Sequence, residues 1–409
     1  MSAAGVYVTI EEAQRIVLDH TKPGRPITIS LAEALGRTLA EAVRCDMDYP
    51  PFDRAMMDGY AVRACDVANA PVTLRVVGQI AAGVSPSAAV GPAQAMQINT
   101  GAPMPSGADA VVPVEATDPD QGGAAVLIKA PVKLKQHVAF RGEYVRQGQV
   151  VPEAGQRMGP GQIGVAGSAG AHHVRVYPPP VVAVLSTGDE LVGVDQVPRG
   201  AQIRNSNSGV LEALITHAGG RAVNLGNVPD DRTRTEAKIR EGLQADVLCV
   251  TGGISMGTFD LVPGVLADCG VRFLVHKLAI KPGRPTIFGV HADGPLVFGL
   301  PGNPVSTFVG FWLLVRPALA AMQGRVGERP RLLAARLRGA FKAPGERQSY
   351  WPARMQVDES GALTAEALPW GGSGDPFGLA CADGLIVRPA GAPSAEEGET
   401  VRVMLLEPL

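Results

Sequence analysis

Val181-Val182-Ala183-Val184-Leu185 runs straight into Ser186-Thr187-Gly188-Asp189-Glu190: an unbroken apolar run followed at once by hydroxyls, a glycine and two acids. An apolar run without polar alternation predicts a strand covered on both faces, as in a parallel sheet sandwiched between helices. The same grammar returns twice. Asp246 to Val250 leads into Thr251-Gly252-Gly253, and Leu296 to Leu300 leads into Pro301-Gly302-Asn303-Pro304. Helical spacing from about Ser208 to His217 ends at Gly219-Gly220, and Ala222 to Val228 reads as a further strand. The chain beyond Pro178-Pro179-Pro180, a stiff junction, therefore predicts a doubly wound parallel α/β domain. Ligands of such sheets bind outside the carboxyl ends of the strands, where these turns must lie.

Upstream, Thr9 with Glu12 forms a capping box ahead of Ile10, Ala13, Ile16 and Val17, and Ser30 with Glu33 repeats it ahead of Leu31, Leu35 and Leu39. Two short helices are expected there. From about 70 to 150, runs at Val72 to Val77, Ala110 to Val114 and Ala125 to Ile128 are broken by Gly, Pro and Asp, which predicts a small β-rich module. Past about 329, Leu332 to Leu337, Leu363 to Leu368, Gly384 to Val387 and Thr400 to Leu406 predict a C-terminal β domain.

Composition bounds the rest. At roughly 100 to 200 residues per domain, a chain of 409 residues has room for two to four packed units. Hydrophobic residues at 46% and charged residues at 19% exclude a disordered or coiled-coil protein. The 50 Gly and 34 Pro, set against 5% aromatic residues, predict many short elements joined by tight turns. A net charge of −2 offers no global field for gathering nucleic acid, so any anionic ligand must meet a local cluster. The five cysteines are scattered without a CxxC pair, which signals neither a disulfide framework nor a structural zinc site. Glu11, Glu12, Arg15 and Asp19 make the first residues unlike a secretory signal, and a reducing cytoplasm is the expected location. The most apolar stretch, Phe308 to Val315, is short of a membrane span and is closed by Arg316.

Three turns at the ligand end of one inferred sheet carry the chemistry. Ser186-Thr187-Gly188-Asp189-Glu190 offers hydroxyls, amides and two carboxylates able to hold a hard cation. Thr251-Gly252-Gly253-Ile254-Ser255-Met256-Gly257 lets backbone approach a phosphate closely, with Asp260 following. Leu300-Pro301-Gly302-Asn303-Pro304 enters a helix with Pro304 at its first position. A basic strip, Lys277, Lys281, Pro282, Gly283 and Arg284, has no acid between Asp268 and Asp293 and suits an oxyanion. Taken singly, each also reads as a helix-start charge pair, a packing turn or a solvated surface run. Their convergence on one sheet end is what points to chemistry on a phosphate ester or anhydride.

With Pro51-Phe52-Asp53, Met57-Asp58-Gly59-Tyr60-Ala61, Thr100-Gly101-Ala102-Pro103, Lys281-Pro282-Gly283-Arg284-Pro285 and Val305-Ser306 added, these motifs resemble the molybdopterin molybdenumtransferases, the MoeA and gephyrin E-domain group. The resemblance is in family order and spans the chain from about residue 8. It implies Mg²⁺-dependent insertion of molybdate into adenylylated molybdopterin, with release of AMP. A molybdate oxygen would attack the phosphoanhydride, and the freed dithiolene would then capture molybdenum. It also implies a homodimer of four-domain subunits: 1–45 with 146–178, a β-rich arm at 46–145, the molybdopterin-binding domain at 179–327, and a barrel-like domain at 328–409. Further partners implied are the molybdopterin adenylyltransferase and molybdoenzyme-loading proteins.

Residue by residue, the resemblance assigns Asp189, Glu190 and Asp260 to the metal, and Asp58, Thr100, Glu190, Asp230 and Asp260 to catalysis. Ser186, Thr187, Gly188, Gly252, Gly253, Ser255, Lys277, Lys281, Arg284, Pro301, Pro304 and Ser373 would bind substrate, Gly252 and Gly253 through their amides. Asp58 and Thr100 would enter the cleft from the arm of the other subunit. Three positions depart from the pattern: Tyr144 and Thr258 stand where acids are usual, and Ala55 replaces a frequent Ser. Two alternatives remain open, a scaffold of the same fold with impaired catalysis and a molybdopterin adenylyltransferase.

Overall fold

The computed structural model describes residues 7–254, 261–343 and 345–406. The chain divides into two compact units, Met1–Ile27, Gly36–Ala40 and Arg175–Leu409 in one, Thr28–Leu35 and Glu41–Val174 in the other.

At the heart of the first unit is a six-stranded sheet, in spatial order Arg221–Val228, Val181–Thr187, Val247–Thr251, Leu296–Leu300, Ile287–His291 and Val271–Val275. The first four strands run parallel, each in the register Val182↔Val247↔Leu296 or its equivalent. Side chains alternate between two apolar layers. Val182, Val184, Cys249 and Phe298 face one, while Ala183, Leu185, Leu248 and Val297 face the other. Each fully buried Val, Leu or Phe removes about 1.5–3 kcal/mol worth of apolar surface from water, which is why these runs carry no polar alternation. Helices Ser206–His217 and Pro304–Gly310 cover one face, and Arg232–Gly242 and Val262–Asp268 the other.

Helix Ile10–Asp19 starts at Thr9, whose hydroxyl accepts from the Glu12 amide at 3.2 Å. Its Ile10, Ala13 and Val17 join the first apolar layer, and Gln14 Nε2 donates to Leu313 O at 2.9 Å. The C-terminal strands Leu332–Arg338, Gln348–Val357, Leu363–Ala367, Gly384–Arg388 and Thr400–Leu405 close into a five-stranded barrel, because Gln348–Val357 pairs with both Leu363–Ala367 and Gly384–Arg388. Closure pairs each barrel strand on both sides and leaves open the start of Gln348–Val357. Ile280–Lys281 adds to it in parallel, in the register Lys281↔Ser349.

The second unit is built on a mixed six-stranded sheet, in the order Ala110–Pro113, Gly59–Val62, Gln94–Ile98, Val72–Ile80, Ala125–Ile128 and Thr117–Pro119. Gly59 lies so close to the neighbouring strand that a Cβ there would collide with Val112 O. That close approach accounts for the glycine after Asp58.

Four expectations need correction. The central sheet is not wholly parallel: Ile287–His291 and Val271–Val275 run antiparallel at one edge. The capping box at Ser30 and Glu33 forms, but it starts only a single 3-10 turn, Leu31–Glu33, and Gly36 at φ +76° turns the chain away. Gln348–Val357, the longest strand of the barrel, was not expected, since Pro352 argues against a strand. The apolar stretch around Phe308 is part of a 19-residue helix, Pro304–Met322, long and apolar enough by composition to cross a membrane. It runs on through Arg316, whose guanidinium lies 5.0 Å from the Trp312 ring centroid and 2.8 Å from Glu328 Oε1. Of its most apolar window 83% is buried inside the protein, so its apolar surface is already covered.

Candidate functional site

Two adjoining cavities open at the carboxyl end of the central sheet. The first, about 380 Å³, is lined by Thr187, Gly188, Glu190, Asp230, Gly252, Gly253 and Pro301, with Ile254, Pro285, Gly302 and Asn303. The second, about 370 Å³, is lined by Lys281, Arg284, Arg347, Ser306, Ser373 and the glycines of the 371–372 turn, with Trp351 and Trp370. Pro285, Pro301 and Asn303 belong to both and form the wall between them.

The first cavity is made by backbone conformations that side chains resist. Gly188, Gly252 and Gly253 have φ of +143°, +89° and +58°. A Cβ on Gly252 would collide with Thr187 O, and one on Gly253 would stand 2.8 Å from Thr187 Oγ1. Glycine is required here for approach as well as for φ. The Glu190 carboxylate folds back over Gly188, and Asp189 Oδ1 accepts from the Asp230 amide at 3.0 Å, tying the two acidic turns together. Thr187 Oγ1 is buried and has no hydrogen-bond partner among the described residues. A buried hydroxyl left unpaired costs about 1–3 kcal/mol, and this one lies against the Gly252–Gly253 turn.

Behind the cavity, a polar clamp holds the turns in place. Asn207 Nδ2 donates to Thr251 Oγ1 at 3.0 Å and to Gly302 O at 2.7 Å, and Thr251 Oγ1 and Thr307 Oγ1 both donate to Pro301 O. One helix thus fastens the turns of two strands. Asn303 Nδ2 donates to Ser373 Oγ at 2.8 Å and Val305 N to Ser373 O at 3.1 Å, which draws the 371–374 turn of the barrel to the start of the Pro304 helix.

Charge separates the two cavities. Among the described residues, Glu190 and Asp230 are the charged side chains lining the first, and Lys281, Arg284 and Arg347 those lining the second. Arg347 Nη1 donates to Ile280 O at 3.2 Å, and the Arg284 guanidinium lies 5.1 Å from the Tyr7 ring centroid. These contacts restrain two long side chains, of which Arg347 is half-buried and Arg284 exposed. Three cations, with the Ser306 and Ser373 hydroxyls beside them, are a residue set suited to a compact oxyanion.

Not every expected residue lines these cavities. Ser186 is fully buried, 2.9 Å from Ser208 Oγ and donating to Asn205 Oδ1, so its hydroxyl belongs to the helix cap rather than to a ligand. The Gly252 amide donates to Leu300 O, which leaves the amide role to Gly253. Lys277 presents its carbonyl to Val8 N and lines neither cavity; Pro304 serves as the first residue of its helix. Ser255, Thr258 and Asp260 lie outside the described residues. Asp58 and Thr100 lie in the second unit, where Asp58 Oδ1 accepts from the Thr100 amide at 2.6 Å. In the same unit, the Arg54 guanidinium lies 5.6 Å from the Tyr49 ring and 5.9 Å from the Tyr144 ring. Buried Ala55 donates its amide to Ala102 O at 3.0 Å.

A hard cation has a partial shell here. No cluster of three or more His, Cys, Asp or Glu occurs among the described residues. Glu190 and Asp230 supply two carboxylates, which suits Mg²⁺, a cation usually bound by one or two carboxylates with the remaining oxygens from phosphate and water. Sequence reasoning missed Arg347, which precedes the unexpected strand, and Asn207; the Asn205 N-cap, accepting from Ser208 N at 3.2 Å, was the available signal for the second.

Comparison with known proteins agrees along the chain. Residues 8–170 match the model of the MoeA N-terminal region (domains I and II), 183–321 that of a probable molybdopterin binding domain, and 334–406 that of the MoeA C-terminal region (domain IV). A molybdopterin molybdenumtransferase of Bacillus subtilis is 34% identical over 408 residues, covering 98% of this chain and 94% of that one. One from Nostoc is 34% identical over 390 residues, covering 92% and 88%. The crystal structure of a molybdopterin biosynthesis MoeA protein from Pyrococcus horikoshii superposes with a TM-score of 0.83 at 33% identity, covering 99% of this chain and 100% of that one.

Proposed function

The chain belongs to the MoeA family of molybdopterin molybdenumtransferases, and on that premise we propose that its paired cavities insert molybdate into adenylylated molybdopterin, with release of AMP. The observation that carries this reading is the cationic cavity set wall to wall with an acidic, glycine-lined one. Joining a tetrahedral oxyanion to a phosphoanhydride brings two anions together, and their repulsion must be offset on both sides of the reacting atoms.

Lys281, Arg284 and Arg347 would hold molybdate, Arg gripping two oxygens at once, with Ser306 and Ser373 orienting it. The Gly253 amide would donate to a phosphate oxygen at close range, with Thr187 in the wall beside it. Glu190 and Asp230, with Asp189 steadying the Asp230 turn, would hold Mg²⁺; when bound, that ion neutralises charge on the phosphate oxygens. The Pro301–Asn303 wall would keep the two anions at a fixed spacing, so that ordering entropy is already spent before reaction. Asp260 and Ser255 are kept as ligands of the same site on the motif match. Asp58 and Thr100 are proposed to act from a second copy of the chain in a homodimer. The five free cysteines support a reducing, cytoplasmic setting.

The test is turnover of adenylylated molybdopterin by the purified protein. AMP release is expected only when molybdate and Mg²⁺ are both present, and full release without molybdate would sink the proposal. Nucleotide transfer from ATP to molybdopterin would instead identify an adenylyltransferase.

A further inference from the structure

The first turn of helix Ser206–His217 meets three strand ends at once. Ser208 Oγ lies 2.9 Å from Ser186 Oγ, near the end of Val181–Thr187, and Asn205 caps the helix by accepting from Ser208 N. Leu211 and Ile215 bury the following turns in the core, so the helix start has little freedom to shift. From this anchor Asn207 reaches the other two strand ends, donating to Thr251 Oγ1 and to Gly302 O. Asn207 itself lines neither the acidic nor the cationic cavity. Gly302 does line the acidic one, as does Gly252, the residue after Thr251.

The direction of each bond follows from its partner. Gly302 O can only accept, so the nitrogen of the Asn207 amide faces it. The Thr251 hydroxyl donates to Pro301 O at 3.2 Å and therefore accepts from Asn207, while Thr307 Oγ1 donates to the same Pro301 carbonyl. Asn207 Oδ1 has no partner among the described residues, so the side chain serves the turns as a donor. Asn207, Thr251 and Thr307 are 9%, 1% and 0% exposed, and at such depth water competes little for these bonds. The two turns are also nearly in contact: a Cβ on Gly302 would stand 3.7 Å from Gly252 Cα. The backbone bond from Gly252 N to Leu300 O, at 3.2 Å, ties the strand ends, and Asn207 ties the turns beyond it.

Resting on the function proposed above, we propose that Asn207 is a positioning residue for the transfer. By donating to both turns it sets the distance between a phosphate at Gly253 and an oxyanion across the Pro301–Asn303 wall, and it touches neither anion. Loosening the clamp leaves each anion its own cavity and alters their spacing, which costs kcat rather than affinity.

The experiment compares Asn207→Asp and Asn207→Leu, both close to Asn in size, in the full-length protein, with thermal unfolding showing that both fold. At about pH 8 each should lower kcat about 10- to 100-fold and keep the KM for molybdate within about threefold. Asn207→Asp sets an acceptor against Gly302 O, and burial raises the pKa of the carboxyl it introduces. Protonation restores one donor, so at about pH 6 the kcat deficit of Asn207→Asp should narrow at least about threefold, while that of Asn207→Leu should stay constant. Unchanged kcat in both variants overturns the inference, as does a KM that rises as far as kcat falls, or a deficit of Asn207→Asp that does not narrow. Hydrogen exchange of peptides covering 251–254 and 300–303, followed by mass spectrometry, reads the clamp without turnover. It should quicken about three- to tenfold in Asn207→Leu and not in helix Arg232–Gly242, and unchanged exchange in both peptides also overturns the inference. AMP release by the unmodified protein that ignores molybdate overturns the proposed function instead, an outcome the exchange rates do not share.

Discussion

The two ends of the central sheet both carry hollows, and they differ in what their polar groups are free to do. At the amino ends, a hollow of about 790 Å³ is lined by Arg240, Gln244, Asp246, Cys269, His291 and Asp293. It is about twice the size of either cavity at the carboxyl ends. Yet its polar groups are engaged within the protein. Asp246 Oδ2 accepts from Val181 N at 2.7 Å, Arg240 donates to Glu236 at 3.0 and 2.8 Å, and His291 Nδ1 lies 3.2 Å from the Asp293 amide. At the carboxyl ends, Thr187 Oγ1 lacks a partner among the described residues and left-handed glycines bare the backbone. Volume alone points to the amino ends. Bared backbone at the strand ends, where crossovers splay apart, points to the carboxyl ends, the site of the function proposed above.

The sharpest way to break this contrast is to add one methyl group at each end. Gly252→Ala forces a Cβ into Thr187 O at φ +89° and should cut turnover about 100-fold or more, since small displacements of a reacting group cost that much. Gly294→Ala, at φ +113° with open space around it, should cost about 1–3 kcal/mol in thermal or denaturant unfolding and leave turnover within about twofold. Equal loss of turnover in both would erase the distinction.

A smaller effect is expected from the arginines. Arg347→Ala removes a charged donor from the oxyanion cavity and should raise the KM for molybdate about 10- to 100-fold, with partial recovery in Arg347→Lys. Arg240→Ala removes an exposed i,i+4 pair of little energetic weight and should not move that KM. A KM shift on Arg240→Ala would place ligand chemistry at the amino end.

The mildest test uses thiols. Cys249, inside the central sheet, is pushed up to about 12 by burial, and burial also raises Cys269 at the amino-end hollow. Thiolate is the reactive form, so near pH 8 alkylation should reach exposed Cys65 and Cys381 first and spare Cys249 in the native protein. Labelling of Cys249 as fast as Cys65, followed by mass spectrometry, would show that the sheet opens far more readily than its burial implies.

Much of the fold was legible for a specific reason. A strand covered on both faces has no polar positions, so Val181–Thr187, Val247–Thr251 and Leu296–Leu300 stood out as runs, and the Thr9 cap announced its helix through one side chain. Strand direction leaves no such mark, and the antiparallel edge at Ile287–His291 was not foreseen. Nor does a capping box say how many turns follow, which is why Ser30 and Glu33 suggested a helix where a single 3-10 turn forms.

Sequence alone determined the chemistry of the turns, because hydroxyls, acids and glycines directly after apolar runs are local properties of the chain. It also placed the basic strip and the family to which all of these belong. Only the tertiary structure decided that acids and cations occupy separate, adjoining cavities, that Asn207 clamps two turns, and that Arg347 and two tryptophans arrive from the barrel. Those facts depend on pairing Lys281 with Ser349 across a separation that no local pattern encodes. The burial that joins such distant segments is nondirectional, and their register emerges only when the whole core is packed.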